Sequence, residues 1–310
     1  MSYLVFARKW RPLSFDDIVG QEHITNTLKR AIEKDRVAHS YIFSGTRGVG
    51  KTTTARILAR ALNCDKGPTP DPCGACESCL SVIKGNSFDV LEIDGASNNG
   101  VDHIRELRDN IGYSSMSGKY RIFVIDEVHM LTKGAFNALL KTLEEPPKNV
   151  IFIFATTEPQ KIPDTIHSRC QRYDFRRISA DQIVCQLEKI CKKENITFDA
   201  ASIKLIANKA DGSMRDALSL LDQVFSFCTK GINESEVRSV LGLVDNETYK
   251  NVMDAIVNKN PITVIQVVEN VLVQGFDLSE LLIGFQEYIR ILLLKKIADT
   301  DNTQNNYNTS

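Results

Sequence analysis

A chain of 310 residues suits about two domains at roughly 150 residues each. Its 43% hydrophobic and 25% charged residues exclude disorder along the whole length. Lys plus Arg number 38 against 39 Asp plus Glu, so no global basic field exists, and any nucleic-acid contact needs a local patch or an assembled partner.

In chain order, the N-terminal patch Tyr3–Phe6 is too short for a secretion signal. The longest apolar runs, such as Val150–Ala155 and Ile291–Leu294, fall far short of the roughly 20 residues that span a bilayer. A cytoplasmic chain without membrane contact is expected, its eight cysteines kept reduced. Tyr41–Phe43, Phe88–Ile93, Arg121–Ile125 and Val150–Phe154 read as strands, the last two apolar enough for burial on both faces of a parallel sheet. Helical patterns over Glu22–Arg36, Lys51–Leu62, Asp102–Asn110 and Lys133–Glu144 alternate with them, predicting a doubly wound α/β domain over 1–178. From Ser179 the pattern is helical only: Ile183, Leu187 and Ile190 repeat at helical spacing, as do Leu218, Leu221 and Phe225, and Asp199 is a candidate N-cap. Breaks near Gly231 and Gly242 divide a small helical domain, 179–242, from a further helical region, 243–298. The polar stretch 299–310 is expected to be disordered.

Gly45-Thr46-Arg47-Gly48-Val49-Gly50-Lys51-Thr52 matches the G-x-x-x-x-G-K-[ST] pattern between a predicted strand and a predicted helix. Glycines let consecutive backbone N–H groups curl inward onto phosphate oxygens, and the following helix N-terminus adds partial positive charge. Lys51 would reach β- and γ-phosphates and the Thr52 hydroxyl would ligate Mg²⁺, with Thr53 completing the loop's contacts. The apolar run Ile122–Ile125 ends in Asp126 and Glu127, the form of a strand that holds Mg²⁺ through its Asp and activates water through its Glu. Two such sites of opposite charge predict Mg-ATP binding.

Cys64, Cys73, Cys76 and Cys79 lie in a C-x8-C-x2-C-x2-C arrangement, with Gly67, Pro68, Pro70, Pro72 and Gly74 between them predicting an irregular knuckle over 64–79. Four thiolates can close a tetrahedral Zn²⁺ site with no open position for catalysis. Whether that knuckle meets a partner or only stabilises the fold stays open, with structure favoured. Cys170, Cys185, Cys191 and Cys228 read as packing residues, while Trp10 and His129 stay undecided between function and core packing, with packing the safer reading for each.

Together these segments resemble the gamma/tau subunits of bacterial DNA polymerase III. Ala7–Pro12 with Phe15 and Val19–His23, Phe43–Thr52, the cysteine knuckle, Ile125–Leu131, Phe136–Pro147, Ala155–Thr157, Ser168–Cys170 and Gly212–Leu220 carry the resemblance, over about residues 3–290. It implies an AAA+ clamp-loader ATPase: a P-loop domain with a zinc-knuckle insertion, a helical lid over 179–242 and a partial collar over 243–298. It also implies ATP, Mg²⁺ and Zn²⁺ as cofactors. The implied partners are the delta and delta-prime subunits, further copies of the chain, the sliding clamp and primed DNA. Arg169 would be an arginine finger acting on a neighbour's site, Thr157 a γ-phosphate sensor and Arg215 a second sensor in the lid. Arg11, Pro12, Val19, Val49 and Met214 would wall the adenine. Such a chain is attached to a nucleotidyltransferase holoenzyme, yet the reaction it could perform itself is phosphoanhydride hydrolysis. A DExH helicase would need a second α/β motor domain, which the all-helical pattern after Ser179 does not offer; a subunit that binds without turnover would lack Lys51 or Glu127.

Overall fold

The five strands of the sheet are β1 (Ser40–Ser44), β2 (Val90–Asp94), β3 (Arg121–Asp126), β4 (Val150–Thr156) and β5 (Gln171–Asp174), all parallel, in the order β2-β3-β4-β1-β5. The computed structural model describes residues 3–111, 119–228, 231–273 and 275–307. Helices α1 (Phe6–Lys9) and α2 (Glu22–Glu33) precede β1, and α3 (Lys51–Asn63) and α4 (Glu77–Lys84) follow it. Then α5 (Val101–Ile111) joins β2 to β3, α6 (Lys133–Glu144) joins β3 to β4, and α7 (Asp164–His167) joins β4 to β5.

Alternation along the strands sends side chains to opposite faces, and both faces are covered. Tyr41, Phe43, Ile122, Val124, Ile151 and Ile153 pack with Leu28 and Ile32 of α2 and Ile57 and Leu58 of α3. Ile42, Phe123, Ile125, Phe152 and Phe154 pack with Ile104 and Leu107 of α5 and Phe136 and Leu139 of α6. The predicted strands are thus present, with β2 starting two residues late and Phe88 left 76% exposed. β5 was not predicted, because Gln-Arg-Tyr-Asp at a sheet edge carries no apolar signature. Ser44 pairs with Thr156 and Ile125 with Phe154, so the carboxyl ends of β1, β4 and β3 are level. Loops leaving that edge therefore sit side by side, where open α/β sheets bind ligands.

The chain divides into two compact units, one of Met1–Ile190 with Ala207–Ser219, the other of Cys191–Ile206 with Leu220–Ser310. Helices α8 (Ala180–Lys193), α9 (Ala200–Lys209) and α10 (Met214–Phe227) follow β5, and the start of α10 belongs to the first unit. Its Arg215 N–H donates to Gly48 O at 3.4 Å, which ties the helix start to the phosphate loop. In the second unit Asp199 caps α9, accepting from Ser202 N at 2.5 Å, and its other oxygen accepts from Glu234 N at 3.0 Å. There α11 (Glu234–Val240), α12 (Asn246–Val257), α13 (Pro261–Val273) and α14 (Leu278–Tyr307) follow, with Val244, Tyr249, Val271 and Leu281 buried together.

Two expectations are corrected here. The helix α14 runs through Tyr307 rather than ending near Ala298 before a disordered tail, since 299–307 contains neither Pro nor Gly to stop it; residues 308–310 lie outside the described residues. The cysteine segment is not wholly irregular either: Cys79 sits in the first turn of α4, whose N-cap is Cys76.

Candidate functional site

The phosphate loop leaves β1 and closes on α3, whose N-cap Gly50 has φ +106°, a left-handed conformation that glycine adopts without strain. Lys51 is buried, and its Nζ donates to Gly45 O and Thr46 O, each at 2.8 Å. Burial lowers the Lys51 pKa from its ordinary value, while the Glu127 and Asp126 carboxylates oppose that shift and favour the cation. Gly48 has φ +78°, and a Cβ there would lie 1.9 Å from Ser213 Oγ. Gly48→Ala is therefore expected to destabilise the fold by about 1–3 kcal/mol and to weaken nucleotide binding. Thermal melting and nucleotide titration check this; an unchanged Tm with unchanged affinity would contradict it.

Thr52 Oγ1 donates to Asp126 Oδ2 at 2.8 Å, across 74 positions of sequence. Asp126 Oδ1 accepts from Glu127 N at 3.0 Å, which orients the carboxylate. A hydroxyl and a carboxylate at the end of a buried strand are hard oxygen donors of the kind Mg²⁺ takes, with waters and phosphate oxygens completing its shell, so the residues present fit that ion. Glu127 has φ +46°, uncommon for a residue with a Cβ, and this turns the chain sharply after β3. Thr157, just past β4, donates from Oγ1 to Glu127 Oε2 at 3.1 Å. Because β4 lies between β1 and β3, Thr157 falls between the phosphate loop and the two acids.

One cleft in the first unit is lined by Arg47–Thr53, Asp126 and Glu127, by Arg11, Pro12 and Val19, and by Met214 and Arg215. The residues that the resemblance assigns to an adenine wall and a second sensor thus line the same cleft as the phosphate loop, while Gly45 and Thr46 contribute the carbonyls that hold Lys51. Burial lowers the Arg11 pKa, followed by repulsion from Arg56; Arg215 and Arg8 add to it and Glu92 opposes. Arg11, Arg47 and Arg215 line the cleft, an arrangement suited to a polyanion. Sequence reasoning missed Ile18, Ile178, Gln186 and Leu218, and left Trp10 undecided; all five line the cleft. Leu218 stands four residues after Met214 on α10, so the helical period could have placed both on one face.

Arg169 does not line this cleft. Its Nη2 donates to Glu144 Oε1 at 2.7 Å and its Nη1 to Thr165 O at 2.6 Å. Its carbonyl accepts from Ser40 Oγ at 2.6 Å, at the amino end of β1. Five residues of strand at about 3.3 Å each separate that end from the phosphate loop. Arg169 therefore stands on the edge of the sheet opposite the chain's own Lys51.

The four clustered cysteines converge. Their Sγ atoms lie within 4.8 Å of one another, against about 3.8 Å between sulfurs when four are bound tetrahedrally at 2.3 Å from zinc. Backbone N–H groups support the sulfurs: Cys73 N donates to Cys64 Sγ at 3.4 Å, Cys76 N to Cys73 Sγ at 3.4 Å, and Cys79 N to Cys76 Sγ at 3.5 Å. N–H groups of Ala75 and Cys76 draw the Cys73 thiol down to about 6. The donor set fits a closed zinc centre, Cys64 and Cys79 buried and the other two half-buried.

Family models match nearly the whole chain: "DNA polymerase III, delta subunit" over residues 20–179, "DNA polymerase III clamp loader subunit, ATPase lid domain" over 182–230, and "DNA polymerase III subunits gamma and tau domain III" over 232–310. The DNA polymerase III subunit gamma of Buchnera aphidicola is 43% identical over 260 residues, covering 84% of this chain and 70% of that protein. The chain belongs to the gamma/tau family of DNA polymerase III subunits. The subunit tau of Bacillus subtilis (strain 168) is 46% identical over 298 residues, 96% of this chain and 53% of the relative. That of Escherichia coli (strain K12) is 44% identical over 283 residues, 91% and 44%. The chain thus spans about half the length of these two gamma/tau relatives. Among solved structures, the Thermotoga maritima RuvB Holliday junction branch migration motor superposes with a TM-score of 0.58 at 18% identity over 91% of each chain, a likeness of fold alone. The gamma/tau membership and this likeness agree on a P-loop α/β fold. Among the described residues no helix is long and apolar enough to cross a membrane.

Proposed function

We propose that this chain binds Mg-ATP in the cleft between the phosphate loop and α10 and hydrolyses it as the motor subunit of a replicative clamp loader. The observation that carries the reading is the convergence of Lys51, Thr52, Asp126, Glu127, Thr157 and Arg215 at one sheet edge, in a chain of the gamma/tau family. Backbone N–H groups from Gly45 to Thr53 cradle the phosphates, and Lys51 turns from loop carbonyls to the β and γ oxygens. Mg²⁺ held by Thr52 and Asp126 would offset phosphate charge. Glu127 takes the proton of the attacking water as its oxygen bonds to the γ-phosphorus and the bridging bond to the β-phosphate breaks. Thr157 holds Glu127 and the γ-phosphate in register, and Arg215 meets the γ-phosphate from α10. Arg11, Pro12, Val19, Val49 and Met214 enclose the adenine. Arg169 serves the site of a neighbouring subunit.

In the same proposal the neighbours are delta, delta-prime and further copies of the chain, the substrates acted upon are a ring-shaped clamp and primed DNA, and the setting is the cytoplasm. The P-loop module, the lid and the third helical segment divide these tasks, the last holding subunits together. No polymerase chemistry is assigned to the chain. ATP turnover measured with those neighbours, clamp and primed DNA should rise well above that of the chain alone; absence of nucleotide affinity with every component present would overturn the reading.

The cysteine cluster is proposed to hold one structural Zn²⁺. Such centres contribute on the order of 10–16 kcal/mol of apparent binding energy, enough to order a segment rich in Pro and Gly. Metal analysis should return about one zinc per chain, and chelation should free four thiols while lowering Tm. A metal-free preparation with the same melting curve would count against it.

A further inference from the structure

His129 has the address of a packing residue but not its surroundings. A single helical turn, Val128–Met130, swings its ring back against the end of β4, and the side chain is only 7% exposed. Its Nδ1 lies 3.1 Å from Thr156 Oγ1 and 3.4 Å from Glu127 Oε2, and its Nε2 lies 3.3 Å from Glu158 Oε1. These groups come from three places: the end of β3, the end of β4 and the turn that follows β4. The ring therefore lies between the two carboxylates, with Nδ1 nearer Thr156 Oγ1 than Glu127 Oε2 and Nε2 facing Glu158 Oε1. The far end of the bridge is fixed, because Glu158 N donates to Thr156 Oγ1 at 3.0 Å and Lys161 Nζ donates to Glu158 Oε1 at 2.8 Å.

The near end decides the consequence. Thr157 Oγ1 and the His129 ring both converge on Oε2 of Glu127. Among the described residues nothing donates to Oε1. A carboxylate held by one oxygen presents the other, with the lone pairs needed to take a proton. Held loosely, the same carboxylate would swing toward the Lys51 ammonium, whose charge already interacts with it.

We propose that His129 is a positioning residue for ATP hydrolysis: with Thr156 and Glu158 behind it, the imidazole clamps Oε2 of Glu127 and leaves Oε1 facing the attacking water. The proposal rests on Glu127 being the general base. Misplacing a reacting group by about 1 Å costs on the order of 100-fold, and losing the partner that orients a functional group about 10- to 100-fold.

The test compares the wild type with His129→Ala, His129→Gln and Glu127→Gln, each assembled with its neighbouring subunits. His129→Ala should lower kcat by about 10- to 100-fold while KM and ATP affinity stay within about twofold and Tm is unchanged. His129→Gln, which keeps an N–H donor, should recover most of that loss. Should the alanine variant fail to fold, His129→Gln against His129→Leu makes the same comparison. Near-normal kcat in His129→Ala, with Glu127→Gln inactive, would overturn the positioning role and leave the base in place. Equal losses in the alanine and glutamine variants, with KM and Tm shifted together, would make His129 structural. An active Glu127→Gln would remove the base reading and this inference with it.

Discussion

Lys51→Ala is expected to reduce ATP turnover by at least about 100-fold and to weaken nucleotide binding as well, with little change in melting temperature. The Lys51 ammonium is buried beside Asp126 and Glu127 and held at the loop by two carbonyls, so it needs only to turn from them to meet a phosphate. Removing one preorganised donor at a site of developing charge costs about 10²–10³ in rate. Fold stability should move less, because the Lys51 ammonium bonds to the loop carbonyls of Gly45 and Thr46 and not to core residues. Steady-state turnover and nucleotide titration of the variant check both halves. Near-normal rates would mean that the phosphates are held elsewhere.

Arg169→Ala is expected to be more damaging to turnover and nearly silent in nucleotide binding by the same chain. A trans arginine stabilises charge developing on the γ-phosphoryl group and is worth about 10³–10⁵ in rate, or roughly 4–7 kcal/mol. Arg169 stands at the amino end of β1, bonded through its carbonyl to Ser40, while Lys51 follows the carboxyl end. One side chain does not bridge that separation, so any action of Arg169 on ATP falls on a neighbour. Its ion-pair partner, Glu144, is half-exposed and holds the guanidinium by about 1 kcal/mol or less, and its other bonds, to Thr165 O and Ser168 Oγ, are at exposed positions. Release to a phosphate is therefore cheap. Mixing Arg169→Ala with Lys51→Ala subunits should restore part of the turnover, since some interfaces then combine an intact phosphate loop with an intact arginine. Hydrolysis no greater than that of each variant alone would contradict a trans role.

The parts of this account legible in the sequence are those set by local chemistry. Gly45–Thr52 can be read because glycines at fixed offsets, a lysine and a hydroxyl have few other uses in that order. β3 and β4 are legible because strands buried on both faces are continuously apolar. β5 was not, because an edge strand of Gln, Arg, Tyr and Asp looks like a loop, and its pairing with β1 is a tertiary fact. Trp10 and His129 stay undecided in the sequence for a related reason. An indole, or an imidazole between Val128 and Met130, reads as core as easily as site, and only the folded chain brings the cleft to Trp10 and the carboxylates of Glu127 and Glu158 to His129. The cysteine spacing suggested convergence of four sulfurs, yet the helix at Glu77–Lys84 was hidden by the prolines and glycines just before it.

Trp10 also offers the most direct test, being the sole tryptophan in the sequence and part of the cleft wall. Titrating the chain with Mg-ATP while following tryptophan emission should give a saturable change at one nucleotide per chain, abolished in Lys51→Ala. Emission that stays flat through millimolar ATP in the wild type, or that changes identically in Lys51→Ala, would contradict nucleotide binding at this site.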